Sequence, residues 1–226
     1  MKIVKKVMFS ILLCLTLLVG MQSVLSAATP IELTLWDMVN PEVDVFDGGS
    51  LDSNPAAGVI TYNGPLGNWI VNVTTGITYP TIGTPATPQL DLNSVNVSSS
   101  GPASLLLGLS ATGYTRAPGG AIFQIGGTTS GLVSAQAFSG ANTLFDPTNP
   151  LGNLLTFSST PFSGSQGGGI PLSPNPYSLT ILADIEHAGA GSTSFDANLA
   201  VPEPASLLLL GCGLMGFVGI RRKRQE

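Results

Sequence analysis

Between residues 31 and 199, apolar and polar residues alternate with a period of two. Ile31, Leu33 and Leu35 are interleaved with Glu32, Thr34 and Trp36, and Trp69, Val71 and Val73 with Ile70, Asn72 and Thr74. Leu105, Leu107 and Leu109 continue the theme, and Ile60 and Tyr62 follow a stretch rich in Gly, Asp, Asn and Pro. Successive side chains of a strand point to opposite faces, so each run has one apolar and one polar face. Leu90 and Leu92 alternate with Asp91 and Asn93, but Val95 and Val97 resume one residue late. That slip predicts a bulge or bend.

Later strands are expected at 121–125, 132–138, 154–158, 177–187 and 193–199. The 121–125 and 132–138 runs flank Gly126-Gly127-Thr128-Thr129-Ser130-Gly131 and read as a long-looped hairpin. Residues 160–176 hold three consecutive glycines and Pro161, Pro171, Pro174 and Pro176, and read as a loop. No stretch keeps a 3.6-residue period for three turns. Nine or ten short strands separated by turn signals predict an all-β fold, an antiparallel β-sandwich of jelly-roll or Ig-like topology. No internal repeat points to a β-helix or propeller.

The two ends of the chain differ from this middle. Lys2, Lys5 and Lys6 precede an apolar stretch from 7 to 20 and then Ser26-Ala27-Ala28. Basic, apolar and small residues in that order form a secretory signal peptide over 1–28, a substrate for signal peptidase. The far end reads Val201-Pro202-Glu203-Pro204-Ala205-Ser206, then an apolar run from Leu207 to Ile220, then Arg221, Arg222, Lys223 and Arg224. As a single hydrophobic helix, residues 205–220 would span roughly 24 Å, short for a hydrocarbon core about 30 Å thick. The basic residues favour the cytoplasmic side, and the prolines keep the preceding chain extended. This tail resembles the PEP-CTERM sorting signal of bacterial surface proteins, which exosortase enzymes process. The resemblance covers residues 201–226 and leaves 29–200 as one exported domain.

Charge narrows the choice of partners. Residues 29–200 hold eleven acidic residues and one basic residue, Arg116; the remaining cations lie in the targeting ends. Phosphate binding needs clustered Lys and Arg, so nucleic acid is excluded as a partner. Both cysteines, Cys14 and Cys212, also fall in the ends, so the exported domain must be stable without disulfides.

Candidate chemistry is sparse. Glu42, Asp44, Asp47 and Asp52 fall in a Gly-, Asp- and Pro-rich run that offers oxygen ligands for calcium; the run fails the EF-hand pattern, and a solvated acidic loop is the competing reading. Trp36, on the polar side of its strand, is a candidate platform for stacking on a sugar ring, against a core position. Trp69 reads as core. Asp184 and Glu186 stand two apart on one strand, about 7 Å, a separation at which paired carboxylates cleave glycosides; outer-face acids are the plainer reading. His187, the sole histidine, lacks the partners of a triad or a zinc site and reads as a strand end.

These residues assign no catalytic group and no required cofactor. The resemblance implies a Gram-negative cell with an exopolysaccharide system and recognition through Pro202, Glu203 and Pro204. It further implies a basic stop at Arg221, Arg222, Lys223 and Arg224, transient residence in the inner membrane, and delivery to the outer surface or extracellular matrix. The expectation is a non-enzymatic, structural surface or biofilm-matrix protein. A carbohydrate-binding sandwich, calcium dependent or not, and a secreted glycoside hydrolase are the alternatives.

Overall fold

A computed structural model describes residues 30–115 and 119–202. The signal-peptide segment, Arg116, Glu203, Pro204 and the basic stop lie outside the described residues. Thirteen strands follow one another: β1 (Ile31–Trp36), β2 (Val43–Phe46), β3 (Val59–Leu66), β4 (Trp69–Ile77), β5 (Gln89–Ser99), β6 (Ala103–Tyr114), β7 (Gly120–Thr129), β8 (Leu132–Gly140), β9 (Asn149–Pro150), β10 (Leu155–Phe157), β11 (Phe162–Gly169), β12 (Tyr177–His187) and β13 (Gly191–Ala200). All pairings are antiparallel. A seven-stranded sheet runs β10-β8-β12-β6-β1-β2, with β9 beside β8, and a six-stranded sheet runs β11-β7-β13-β5-β4-β3. Their inner faces share one core.

The period-two runs land as expected. Leu33, Leu35, Trp69, Val71, Leu105, Leu107 and Leu109 are all buried. The slip between Asn93 and Val95 is a bulge. Ser94 takes φ +57°, the β13 ladder shifts register between Phe195 and Ala197, and Asp196 Oδ1 accepts the freed Ser94 N–H at 2.6 Å.

Three expectations are corrected. Strands β7 and β8 are not a hairpin: β7 pairs with β11 and β13, β8 with β10 and β12, on opposite sides of the core. An apolar face meets a core equally well from either side, so alternation cannot tell a ladder partner from a facing strand. Residues 160–176 are not all loop, because β11 pairs with β7 along eight positions. Glycine serves closeness there: a Cβ on Gly168 would stand 2.7 Å from Leu151 Cα. The acidic run near residue 44 contains the short edge strand β2.

Four links cross between the sheets at one end of the sandwich: β5 to β6, β7 to β8, β10 to β11 and β12 to β13. His187, 4% exposed, fills the space between them. Its Nδ1 lies 2.7 Å from Ser99 Oγ and its Nε2 2.8 Å from Thr193 Oγ1. Thr193 Oγ1 meets Thr129 Oγ1 at 2.7 Å, and Gly131 N–H donates to Thr129 Oγ1. Ser99 Oγ reaches Gly189 O at 3.4 Å. One direction gives each proton an acceptor within this chain of contacts. Gly131 donates to Thr129, Thr129 to Thr193 and Thr193 to Nε2, while Nδ1–H donates to Ser99 and Ser99 to Gly189. The imidazole is then neutral, with its proton on Nδ1. Trp69 packs on the ring at 4.8 Å between centroids and donates Nε1–H to Ser104 O. The network joins β5, β7, β12 and β13, and its tryptophan adds β4 and β6.

The first and last described residues lie at the opposite end. Pro30 O accepts the Thr112 N–H near the close of β6. Val201 is buried, its N–H bonded to Pro88 O, and Pro202 beyond it is exposed.

Two outcomes are expected. Burial lowers the His187 pKa from 6.5, so below pH 6.5 the unfolded chain binds a proton that the fold refuses. Stability falls with pH from 6.5 down to the depressed value, by up to about 1.4 kcal/mol per pH unit. The gap in melting temperature between wild type and His187→Gln should be widest near pH 8 and narrow toward pH 5. The second outcome contrasts neighbouring glycines. A Cβ on Gly127 would lie 2.1 Å from Ser194 O, whereas on Gly126 its nearest atom is Phe162 O at 3.5 Å. Chemical denaturation should show Gly127→Ala costing about 2 kcal/mol or more and Gly126→Ala within about 0.5 kcal/mol of wild type.

Candidate functional site

The residues singled out from sequence fall into separate places. Trp36 lies on the outer face of the seven-stranded sheet, 38% exposed, which overturns its core reading. Its register partner is Leu106, whose other partner is Asp184. Asp184 and Glu186 are on that same outer face. Burial, then the Glu186 charge, raises the Asp184 carboxyl above the usual range, and its Oδ1 is buried without a hydrogen-bond partner. Glu186 borders a hollow of about 530 Å³ with Ser104, Gly131, Leu132 and Ser158; Asp184 does not line it. His187 ends β12, as its sequence context suggests.

The four acids proposed for calcium do not form one cage. Glu42 Oε1 and Asp44 Oδ1 both lie within hydrogen-bonding range of Thr34 Oγ1, at 2.6 and 2.9 Å. Glu32 beside them is raised by burial, then by Asp44 and Glu42. Asp47 instead accepts the Gly58 N–H. Asp52 accepts the N–H groups of Gly48, Asn54 and Thr61, which fixes the loop leading into β3. Among the described residues no group of three or more His, Cys, Asp or Glu is arranged to hold a metal ion. The reason is geometric: Glu42, just before β2, and Asp44, within it, both reach Thr34 of β1, while Asp47 and Asp52 are spent on backbone amides.

Sequence reading missed a groove on the outer face of the six-stranded sheet. It encloses about 560 Å³ and is lined by Asp91, Gln124, Gly126, Ser163, Ser165, Asp196 and Asn198, among others. Strand register assembles it. Ser165, Gln124, Asn198 and Asp91 stand in one row across β11, β7, β13 and β5. Ser163, Gly126 and Asp196 form the next row. Asn198 donates Nδ2–H to Asp91 Oδ1 at 3.2 Å. Asp91 is partly buried, and desolvation is the largest influence on its carboxyl. The Asn198 bond offsets part of that effect and Asp196 adds to it, so the net result is a raised pKa.

Among the described residues, no side chain that lines the groove is cationic. The groove therefore offers carboxylate acceptors, amides and hydroxyls that both donate and accept, and nothing to neutralise an anion. The outward positions of β5 and β13 were readable as alternate polar residues. Their meeting with Gln124 and Ser165 depends on pairings between strands far apart in the chain.

No curated protein matches this sequence. Among solved structures, TmCBM61 in complex with β-1,4-galactotriose aligns with 60% of this chain and 90% of its own, at 10% identity and a TM-score of 0.33. A structure of carbohydrate-binding modules from the β-sandwich superfamily aligns over 76% and 84%, at 10% identity and a TM-score of 0.35. The N-terminal cellulose-binding domain of Cellulomonas fimi β-1,4-glucanase C aligns over 47% and 82%, at 15% identity and a TM-score of 0.28. The family model of the PEP-CTERM protein-sorting motif matches residues 200–224. The match is confined to the C-terminal tail, and a signal of this kind implies export and membrane-associated sorting to the surface.

Proposed function

We propose that this protein is an exported, non-enzymatic structural component of the bacterial surface or extracellular matrix, delivered by its tail. In this reading signal peptidase removes residues 1–28. Arg221, Arg222, Lys223 and Arg224 then hold the C-terminus at the inner membrane, and an exosortase-like enzyme acts on the segment marked by Pro202, Glu203 and Pro204. The sandwich requires no cofactor, calcium included, and has matrix polysaccharide as its partner.

The observation that carries the reading is the match over 200–224. The position where that segment begins supports it: Val201 is the last buried residue among those described, and Pro202 is exposed. A processing enzyme meets Pro202, the first residue of the motif, outside the core. A second reading, a carbohydrate-binding module, is favoured by the cation-free polar groove. It is compatible with the first, because matrix proteins act among polysaccharides.

The test is fractionation of an exosortase-containing bacterium that expresses the full chain. Wild type should appear outside the inner membrane in a shortened form. Replacing Pro202, Glu203 and Pro204 together with alanine should leave the uncut chain in the inner membrane. Equal processing of both chains would overturn the proposal.

A further inference from the structure

We infer that the groove across β11, β7, β13 and β5 is a binding site for a neutral polysaccharide strand. This rests on the reading of the protein as a matrix component and adds a site and a ligand class to it.

The argument starts from an unexplained glycine. Glycine weakens a strand because it packs nothing and loses more backbone freedom on folding. Gly127 has a steric reason to be glycine, since a Cβ there would strike Ser194 O and Phe195. Gly126 has none, because every atom near its Cβ position lies at ordinary contact distance. It nevertheless stands in the centre of the groove, between Ser163 and Asp196. The missing side chain keeps the hollow open.

The chemistry of the walls selects the ligand. Sugar hydroxyls both donate and accept, so they need a surface that does the same. Asp91 and Asp196 accept, while Gln124, Asn198, Ser163 and Ser165 do both. Several of these groups are held before a ligand arrives: Asn198 is bonded to Asp91, and Asp196 to the bulge amide of Ser94. Such preorganisation lowers the ordering cost of binding. Ile122, the next outward residue of β7 beyond Gln124, is exposed and offers an apolar contact for the C–H face of a sugar ring. Two carboxylates, with no cation beside them among the described residues, repel a uronate or sulfated chain, so the site discriminates against acidic polysaccharides. Its volume lies within the roughly 300–1,000 Å³ common for ligand sites.

The full chain, purified in a non-ionic detergent, should be titrated calorimetrically with β-1,4-galactan, a neutral β-glucan and mannan, and with alginate as the acidic comparison. Binding to at least one neutral polymer is expected, with alginate weaker. Gly126→Val should abolish binding with little change in melting temperature. Asn198→Ala and Gln124→Ala, which leave the backbone untouched, should each weaken it about tenfold, the effect of one good hydrogen bond. Failure of wild type to bind every neutral polymer would overturn the inference. So would equal or stronger binding of alginate, or undiminished binding by Asn198→Ala and Gln124→Ala together with Gly126→Val. None of these results depends on how the tail is processed, so failed sorting and a failed ligand site are separately visible.

Discussion

The crossing of four links between two sheets at one end imposes the constraint on which the rest of this fold depends. Sheets that exchange strands so often must be held in one relative position, or their alternating faces would not interdigitate. His187 supplies that hold. It is a buried imidazole, bonded at both nitrogens to hydroxyls from opposite directions and covered by Trp69. A buried polar network is favourable only when each member has its partner, and here one proton arrangement satisfies all of its links. The strand order that these crossings produce decides which polar side chains meet on the outside.

That order makes the two outer faces unlike. The outer face of the seven-stranded sheet carries Trp36, Leu106 and the acids around Thr34, and part of it is covered. Phe145 seats over Gly108, where a Cβ would stand 2.8 Å from the phenylalanine ring. The outer face of the six-stranded sheet carries amides, hydroxyls and two carboxylates around an open hollow. The difference arises from small choices, such as a glycine with no steric duty at 126.

Much of this architecture was legible in sequence, and the boundary of legibility is physical. Period-two alternation identified β1, β4, β5, β6, β12 and β13, and a one-residue slip located the bulge at Ser94. Alternation reports which face of a strand is apolar and nothing about its neighbour, so β7 and β8 were misread as a hairpin. Composition hid β11, because an edge strand made of serine and glycine looks like a loop until its backbone is paired. The four acids near residue 44 are divided between two places because Asp47 and Asp52 accept backbone amides, a use invisible in a list of acids. The groove combined residues more than a hundred positions apart, such as Asp91 and Asn198, and no local pattern joins them.

The position of β13 has a mechanical consequence. The tail continues directly from this strand, which lies inside its sheet with ladders to β5 on one side and β7 on the other. A pull on the tail acts along the strand, so the bonds of both ladders are loaded together instead of peeling open one at a time. An edge strand in the same place would unzip. A domain held through its C-terminus would thus carry the tension of that tether on two ladders at once.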